Sequence, residues 1–452
     1  MNRLIIVIFL ICSGISVSGE SLYIPELLDG TDAVLKIQEG KLELDGSQSS
    51  TLGYNGNYLG PTLRFFQGDW ADIKVQNSLK EETTLHWHGM HIPAEFDGGP
   101  HQVIPAGGNW NPRFQIRQNA ATLWYHPHLM GKTAEQVYKG LAGMIIIEDD
   151  FSKNLNIPSD YGVDDIPLIL QDRRVDSSGQ FRYRPAMPDI MHGYSGNVLL
   201  TNGQVYPEIE TEGGIIRFRI LNGSNSSLMR IRFESGKTFR VIASDGGFLP
   251  VSADMDEIIL SPGERFELLA DFSQKGSDSL ICDVLNVGGF KALQIESSGR
   301  KKGSMEEVNT NRDFIIPGET DIGEERYFKM ETGGMRNFTI NSRTMDMKRI
   351  DFEVPGGQAE VWTVENVSRG MMQILHSFHV HDVQFRIIDI DGNPPPDHLA
   401  GPKDTVFILP GETVRFILNF QDYNGIYMYH CHFLEHEDNG MMGQFEVIQE
   451  AG

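Results

Sequence analysis

Cysteine is nearly missing: the chain has three in 452 residues. Cys12 falls in a leading apolar run expected to be removed, which leaves Cys282 and Cys431. If Cys431 binds a metal, no intramolecular disulfide remains, so a disulfide framework is excluded as the source of stability. Cys282 lies in the strand-like run Leu280-Ile281-Cys282-Asp283-Val284 and reads as a core thiol. Positive charge is also scarce. Against 62 Asp and Glu stand 38 Lys and Arg, a net charge of −24. That excludes a nucleic-acid partner and suits a soluble protein that attracts cations. Long apolar runs are absent too. The longest leading run, Leu4 to Cys12, is too short for a membrane span. With Arg3 before it and Val17-Ser18-Gly19 after it, residues 1–19 read as a secretory signal peptide. Bulky Ile11 before Cys12 argues against a lipoprotein. The expected product is exported, to a periplasm or outside the cell, with no membrane span.

What is abundant is glycine, 48 residues, set among many short apolar runs. That pattern points to an all-β chain, and the length predicts three domains at about 100–200 residues each. The expected boundaries are 20–150, 160–300 and 327–450. In the first, the alternating stretch Ile73 to Asn77, then Arg113 to Arg117 and Met144 to Ile147, read as strands. Residues 133–141 read as a short helix. In the second, Ile166 to Leu170, Ile215 to Ile220 and Phe266 to Leu269 read as strands. Pro262-Gly263-Glu264 and Pro410-Gly411-Glu412 place the same turn before a strand in the second and third domains, a modest internal repeat. The polar stretch 296–326 reads as a linker or long loop.

Histidine is distributed unevenly. Ten of the 14 lie in four short segments. His86 and His88, His126 and His128, His379 and His381, and His430 and His432 are each two residues apart, which puts both imidazoles on one face of an extended segment. Eight neutral imidazoles are about what three copper ions with oxygen-derived ligands require. Cys431 lies between the last pair and faces the opposite way. His376, His436 and Met441 complete a set of two His, one Cys and a weak Met, the donor set of a blue copper site. One strand end thus serves two metal centres. A zinc site or a reactive thiol is the plainer alternative, and it leaves the other three pairs unexplained. His91, His101, His192 and His398 fall outside the pattern.

These segments resemble the copper-binding segments of the multicopper oxidases, and the resemblance spans nearly the whole mature chain. Gly140-Leu141-Ala142-Gly143, Leu221-Asn222-Gly223-Ser224, Asp245-Gly246-Gly247 and Pro262-Gly263-Glu264-Arg265 resemble the three-domain bacterial branch of laccases and copper-efflux oxidases. The resemblance implies three cupredoxin-like Greek-key β-barrels and four copper ions. It assigns His86 and His379 to the type 2 copper. It assigns His88, His126, His128, His381, His430 and His432 to the type 3 pair, and His376, Cys431, His436 and Met441 to type 1. It implies that single electrons enter at the type 1 copper, pass through Cys431, and reduce dioxygen to water. Asp97 and Glu437 match acids that relay protons; the plain readings are a turn residue and a surface acid. There are departures. The usual His-Pro-x-His-x-His-Gly reads with Ser377 and Asp382 in place of Pro and Gly. The Asp and Met that precede this segment in copper-efflux oxidases read Met372 and Ile374, and no long Met-rich insertion is present. Met330, Met335, Met345, Met347, Met371 and Met372 are scattered candidates. The expected partners are dioxygen and a small reductant: phenols or aromatic amines first, cuprous, ferrous or manganous ions second. A copper-binding envelope scaffold without turnover is the reading from another class. A monomer is expected.

Overall fold

Alternation builds this molecule strand by strand. In Val34–Leu44 the residues Leu35 and Ile37 are buried while Val34, Lys36 and Gln38 are not, so one face of the strand closes a core and the other meets solvent. The computed structural model describes residues 20–449 except 45, 334–336 and 369–372. The expected signal peptide and Met335, Met371 and Met372 lie outside the described residues.

The chain is all-β, with three cupredoxin-like barrels, each made of two facing sheets. The first pairs a sheet ordered Leu27–Asp29, Thr62–Phe66, Gly143–Glu148, Ala121–His126, His86–His88 with a sheet built on the hairpin Val34–Leu44 and Ser47–Tyr54. The second has a six-stranded sheet, with Asp165–Arg173, Ile215–Asn222 and Arg265–Asp271 adjacent in its middle, and a five-stranded partner. The third pairs a sheet containing Ala359–Asn366 and Thr413–Asn419 with one ordered Glu353–Pro355, Met442–Ile448, Gly425–Cys431, His376–Val380, Thr405–Ile408. Each barrel closes on its own apolar core, typified by Ile145, Phe218 and Phe378. Leu22 packs in the second core and Ile190 in the third, so chain segments cross between barrels. Cys282 is a buried core thiol on Gly276–Val284.

The predicted helix at 133–141 is Thr133–Tyr138. It stops before Gly140, whose φ of 120° breaks helical geometry. The polar stretch 296–326 is only partly a loop. Gly288–Lys301 continues a long antiparallel pairing with Gly276–Val284, and Ile322–Gly333 pairs with Ala359–Asn366. Backbone pairing extends these strands past the point where apolar residues mark them. Among the described residues no helix is long and apolar enough to cross a membrane.

Candidate metal centre

Strand ends aim the histidines. In His86–His88, Trp87 turns into the first core, which leaves His86 and His88 on the other face. Register sets His126 opposite His86 and Trp124 opposite His88. In the third barrel His379 lies opposite His430, and Phe378 opposite Cys431. Parity therefore sends His379, His381, His430 and His432 one way and His376 and Cys431 the other. These eight histidines are buried, as are His128 and His436.

The first and third barrels meet ring on ring. His86 stacks on His381 with centroids 3.9 Å apart, and His88 on His379 at 3.7 Å. His88 and His126 approach through Nδ1 and Nε2 at 3.4 Å, and the His432 ring lies 4.9 Å from that of His88. His430 Nε2 lies 3.1 Å from His128 Nε2 and 3.2 Å from His381 Nε2. Donor atoms converge within 4.8 Å of one another in His86-His88-His126, His86-His379-His381 and His128-His381-His430.

The outer nitrogens fix the tautomers, because their partners only accept. His86 Nδ1–H donates to the Asp97 carbonyl (2.9 Å), His379 to that of Asp404 (2.8 Å), His126 to that of Pro127 (2.8 Å) and His430 to that of Cys431 (3.0 Å). His381 Nδ1–H donates to Asp97 Oδ2 (2.8 Å). Bare Nε2 lone pairs then face one another in a buried site. His86 Nε2, His379 Nε2 and both nitrogens of His432 have no hydrogen-bond partner at all. Buried polar atoms are rarely left so. A set of converging, unpartnered, neutral imidazole nitrogens fits metal ions. Burial, then the mutual repulsion of neighbouring rings, holds His86, His88, His126, His379 and His381 well below the usual imidazole range. His432 is lowered to about 3 for the same two reasons.

The second set lies across the strand. Cys431 Sγ is 3.6 Å from His376 Nδ1 and 3.5 Å from His436 Nδ1. Met441 is buried in the same core, and its carbonyl accepts from Cys431 N (3.0 Å). Burial pushes the Cys431 thiol up to about 12. A thiolate there needs a cation beside it, which two neutral imidazoles and a soft thioether would hold for copper. His436 Nε2–H donates to the Met191 carbonyl at 3.2 Å, and Phe338 stacks on its ring at 4.4 Å.

Both expected acids touch the imidazole cluster. Asp97 bonds His381 and lies 3.5 Å from His86 Nδ1. Burial and the Asp382 charge push its carboxyl well above the usual range. Glu437 lies 3.4 Å from His128 Nδ1 and 3.3 Å from His430 Nδ1. Burial would raise its carboxyl, but His128 and His430 outweigh burial and hold it down to about 2. Neither acid is at the surface.

Sequence reasoning missed Asp404, which accepts from His88 Nε2–H at 3.0 Å, and Arg265, which is paired with Asp404. No spacing rule links residues so far apart. It also missed the cover over His436, the helix Met187–His192 from the second barrel segment. Asp382, at the family's glycine position, has a φ of 75°. Its Oδ1 accepts from His91 Nδ1 (2.9 Å) and Ile92 N (3.2 Å), which compensates for the left-handed backbone. Ser377, at the family's proline position, is buried, and its carbonyl accepts from His432 N (3.2 Å). His101 bonds Gln444 instead of a cluster member, and His192 is exposed.

Comparison with known proteins agrees with this geometry. Three family models described as "Multicopper oxidase" match residues 36–152, 173–283 and 319–451. The multicopper oxidase mco of Staphylococcus aureus is 41% identical over 416 residues, 92% of this chain and 88% of that protein. The cell division protein FtsP of Pectobacterium atrosepticum is 34% identical over 456 residues, 95% of this chain and 93% of that protein. Among solved structures, the bacterial laccase-like multicopper oxidase CueO of Ochrobactrum sp. is 36% identical with a TM-score of 0.86, covering 94% of this chain and all (100%) of that one. The multicopper oxidase of Campylobacter jejuni, described as a metallo-oxidase, is 31% identical with a TM-score of 0.82, covering 96% of each chain. With its fold, its buried His and Cys sets and these matches taken together, the chain belongs to the multicopper oxidase family.

Proposed function

We propose that this chain is an exported, laccase-like oxidase that takes single electrons from phenols or aromatic amines and reduces dioxygen to water. The observation that carries this reading is the strand Gly425–Cys431 with His432 beyond it. Cys431 faces His376 and His436, while His430 and His432 face the imidazole cluster, so two donor sets are joined by adjacent peptide units. His376, Cys431, His436 and Met441 would hold a type 1 copper. His86 and His379 would hold type 2, with His88, His126 and His432 around one type 3 position and His128, His381 and His430 around the other. Copper bound in these sets supplies one-electron chemistry, accepting electrons singly and passing four of them to dioxygen to give two waters.

The chain's own residues do the rest. His436 presents its ring edge beneath the helix Met187–His192, so a donor docks over that helix to reach it. The burial of every cluster imidazole keeps bulk water out. Reduction to water consumes protons. Asp97 and Glu437 lie within or near hydrogen-bond reach of cluster imidazoles and are held at opposite ends of the carboxyl range, the arrangement expected of acid–base partners.

A second reading, oxidation of cuprous or ferrous ions, has two supports. The Campylobacter jejuni relative is described as a metallo-oxidase, and the net charge of −24 draws cations. The likeness to FtsP raises a scaffold without turnover, but all twelve expected ligand side chains are present, the feature least needed by a scaffold. The test is steady-state oxygen uptake by the copper-loaded protein with a phenolic donor and with cuprous ion, side by side. Fast uptake with the phenol and little with cuprous ion supports the laccase reading. The reverse makes it a metal oxidase, and no uptake with either leaves the scaffold.

A further inference from the structure

The second barrel carries none of the paired histidines, yet its Arg265 reaches the imidazole cluster. We infer that Arg265, acting through Asp404, is a positioning residue that fixes which ring nitrogen His88 turns toward the cluster. This rests on the copper reading given above.

The geometry is specific. Asp404 Oδ1 accepts from His88 Nε2–H at 3.0 Å. A carboxylate cannot donate, so the proton sits on Nε2 and the Nδ1 lone pair faces His126. His88 thereby differs from His86, His126, His379, His381 and His430, whose Nδ1 atoms all point outward to acceptors. Asp404 itself has no freedom. Arg265 grips it twice, Nη1 to Oδ1 at 2.8 Å and Nη2 to Oδ2 at 2.6 Å. The guanidinium is anchored in turn: Nε donates to the Thr122 carbonyl (3.0 Å) of the first barrel, and Nη2 to the Asp245 carbonyl (2.9 Å). His88, Asp404 and Arg265 are completely buried.

One glycine makes room for this contact and a second for the neighbouring His432 ring. At Gly89, φ 85°, a Cβ would lie 2.5 Å from Asp404 Oδ2 and 2.9 Å from Arg265 Nη2. At Gly263, φ 86°, a Cβ would lie 3.0 Å from the His432 ring. At Gly89 the backbone is therefore shaped around the pair. Asp404 also has donor atoms near His88 and His379, which suggests a metal ligand. Both its oxygens are already committed to Arg265, so it orients a ligand instead.

Lys403 separates positioning from mere stability. Its ammonium is equally buried but binds Asp245 (2.9 Å) and Glu264 (2.7 Å). Among the described residues, no hydrogen bond of its side chain reaches an imidazole. Asp404→Asn and Arg265→Lys should each weaken retention of cluster copper against a competing chelator by about 10–100-fold. The blue absorbance of the Cys431 centre should stay at its wild-type intensity per chain. Lys403→Met should lower the unfolding midpoint yet retain copper like the wild type. Wild-type copper retention in Asp404→Asn and Arg265→Lys overturns the inference, and so does a loss in Lys403→Met that matches theirs. If Asp404→Asn does not fold, Arg265→Lys and a crystal structure of the copper-loaded wild type decide. His88 presenting Nδ1 to the metal supports the inference, and Nε2 overturns it. A wild-type protein that holds copper only at Cys431 overturns instead the four-copper reading beneath it.

Discussion

Asp97 is pinned by two histidines, and this makes its function testable at the level of one atom. Its backbone carbonyl accepts from His86 and its side chain from His381, so the fold at this turn does not depend on the carboxylate alone. Asp97→Asn keeps the size and an acceptor oxygen but carries no exchangeable acidic proton. The expected outcome is unchanged copper content and unchanged blue absorbance, with dioxygen turnover lowered by about 10²-fold or more. Stopped-flow reoxidation of the reduced protein checks this, and an unaltered rate removes Asp97 from proton delivery. At this scale the sequence was informative wherever chemistry repeats at short range. Two-residue spacing on a strand identifies imidazoles that share a face. Asp404 was invisible because its histidine lies 316 positions away and its arginine 139. Nothing local marks an aspartate whose meaning comes from two other barrels.

Elements decide the next level, and here the turns matter more than the strands. The turn Ser261 to Glu264 precedes Arg265–Asp271, and Gly263 lies in it with a φ of 86°, against the His432 ring. An alanine there meets two obstacles. The left-handed backbone costs about 1 kcal/mol without glycine, and a Cβ 3.0 Å from the ring forces His432 to shift. Gly263→Ala should therefore lower the unfolding midpoint and cost cluster copper while the Cys431 centre stays blue. Paired thermal denaturation and metal analysis check both. Full copper content would mean that the ring yields without losing its aim. Strand positions were legible from alternation in Ile215–Asn222, where Ile216, Phe218 and Ile220 share one face, and from the continuous apolar run Met144 to Ile147 in Gly143–Glu148. Strand lengths were less legible. Gly288–Lys301 runs six residues into a stretch that reads as linker, because pairing with Gly276–Val284 continues to Ser297 and pairing with Glu208–Gly213 reaches Lys301 after its apolar side chains end. The helix Met187–His192 gave no signal of its role, since it acts through the Met191 carbonyl and a carbonyl has no sequence signature.

Buried charge joins the three barrels alongside apolar clusters such as Trp124 and Met144 with Ile169 and Leu221, and the charge sets how these joints answer to pH. Thr122 of the first barrel donates to Glu267 of the second, which Arg217 and Arg219 also hold. Burial would raise Glu267, but the two guanidinium groups outweigh it and hold the carboxyl at about 2. That link is complete above the ordinary value of 4.5 and is lost only as pH falls through about 2. His91 of the first barrel bridges Asp382 (2.9 Å) and Asp422 (3.1 Å) of the third. Burial alone would lower His91, but the two carboxylates outweigh it and raise it to about 9. Its sign is opposite to that of Glu267. A histidine raised above its unfolded value of 6.5 contributes fully below that value and loses its contribution as pH rises through about 9. The His91 contribution should therefore be full below about pH 6.5 and decline between about pH 6.5 and 9, read as the gap between wild type and a His91 variant. The cluster imidazoles, held below 6.5, take up protons on unfolding and lower the midpoint of both proteins on the acid side. His91→Gln should lie lower at pH 6.5, by about 1–3 kcal/mol, and lose its pH dependence across that window. Thermal melts of both proteins from pH 5 to 10 check the pair, roughly the range that brackets the shift. The variant and wild type should converge at the alkaline end, because the wild-type bridge is by then neutral. A constant gap at every pH would mean that the imidazole acts by packing, and that the charge on His91 contributes nothing to holding these barrels together.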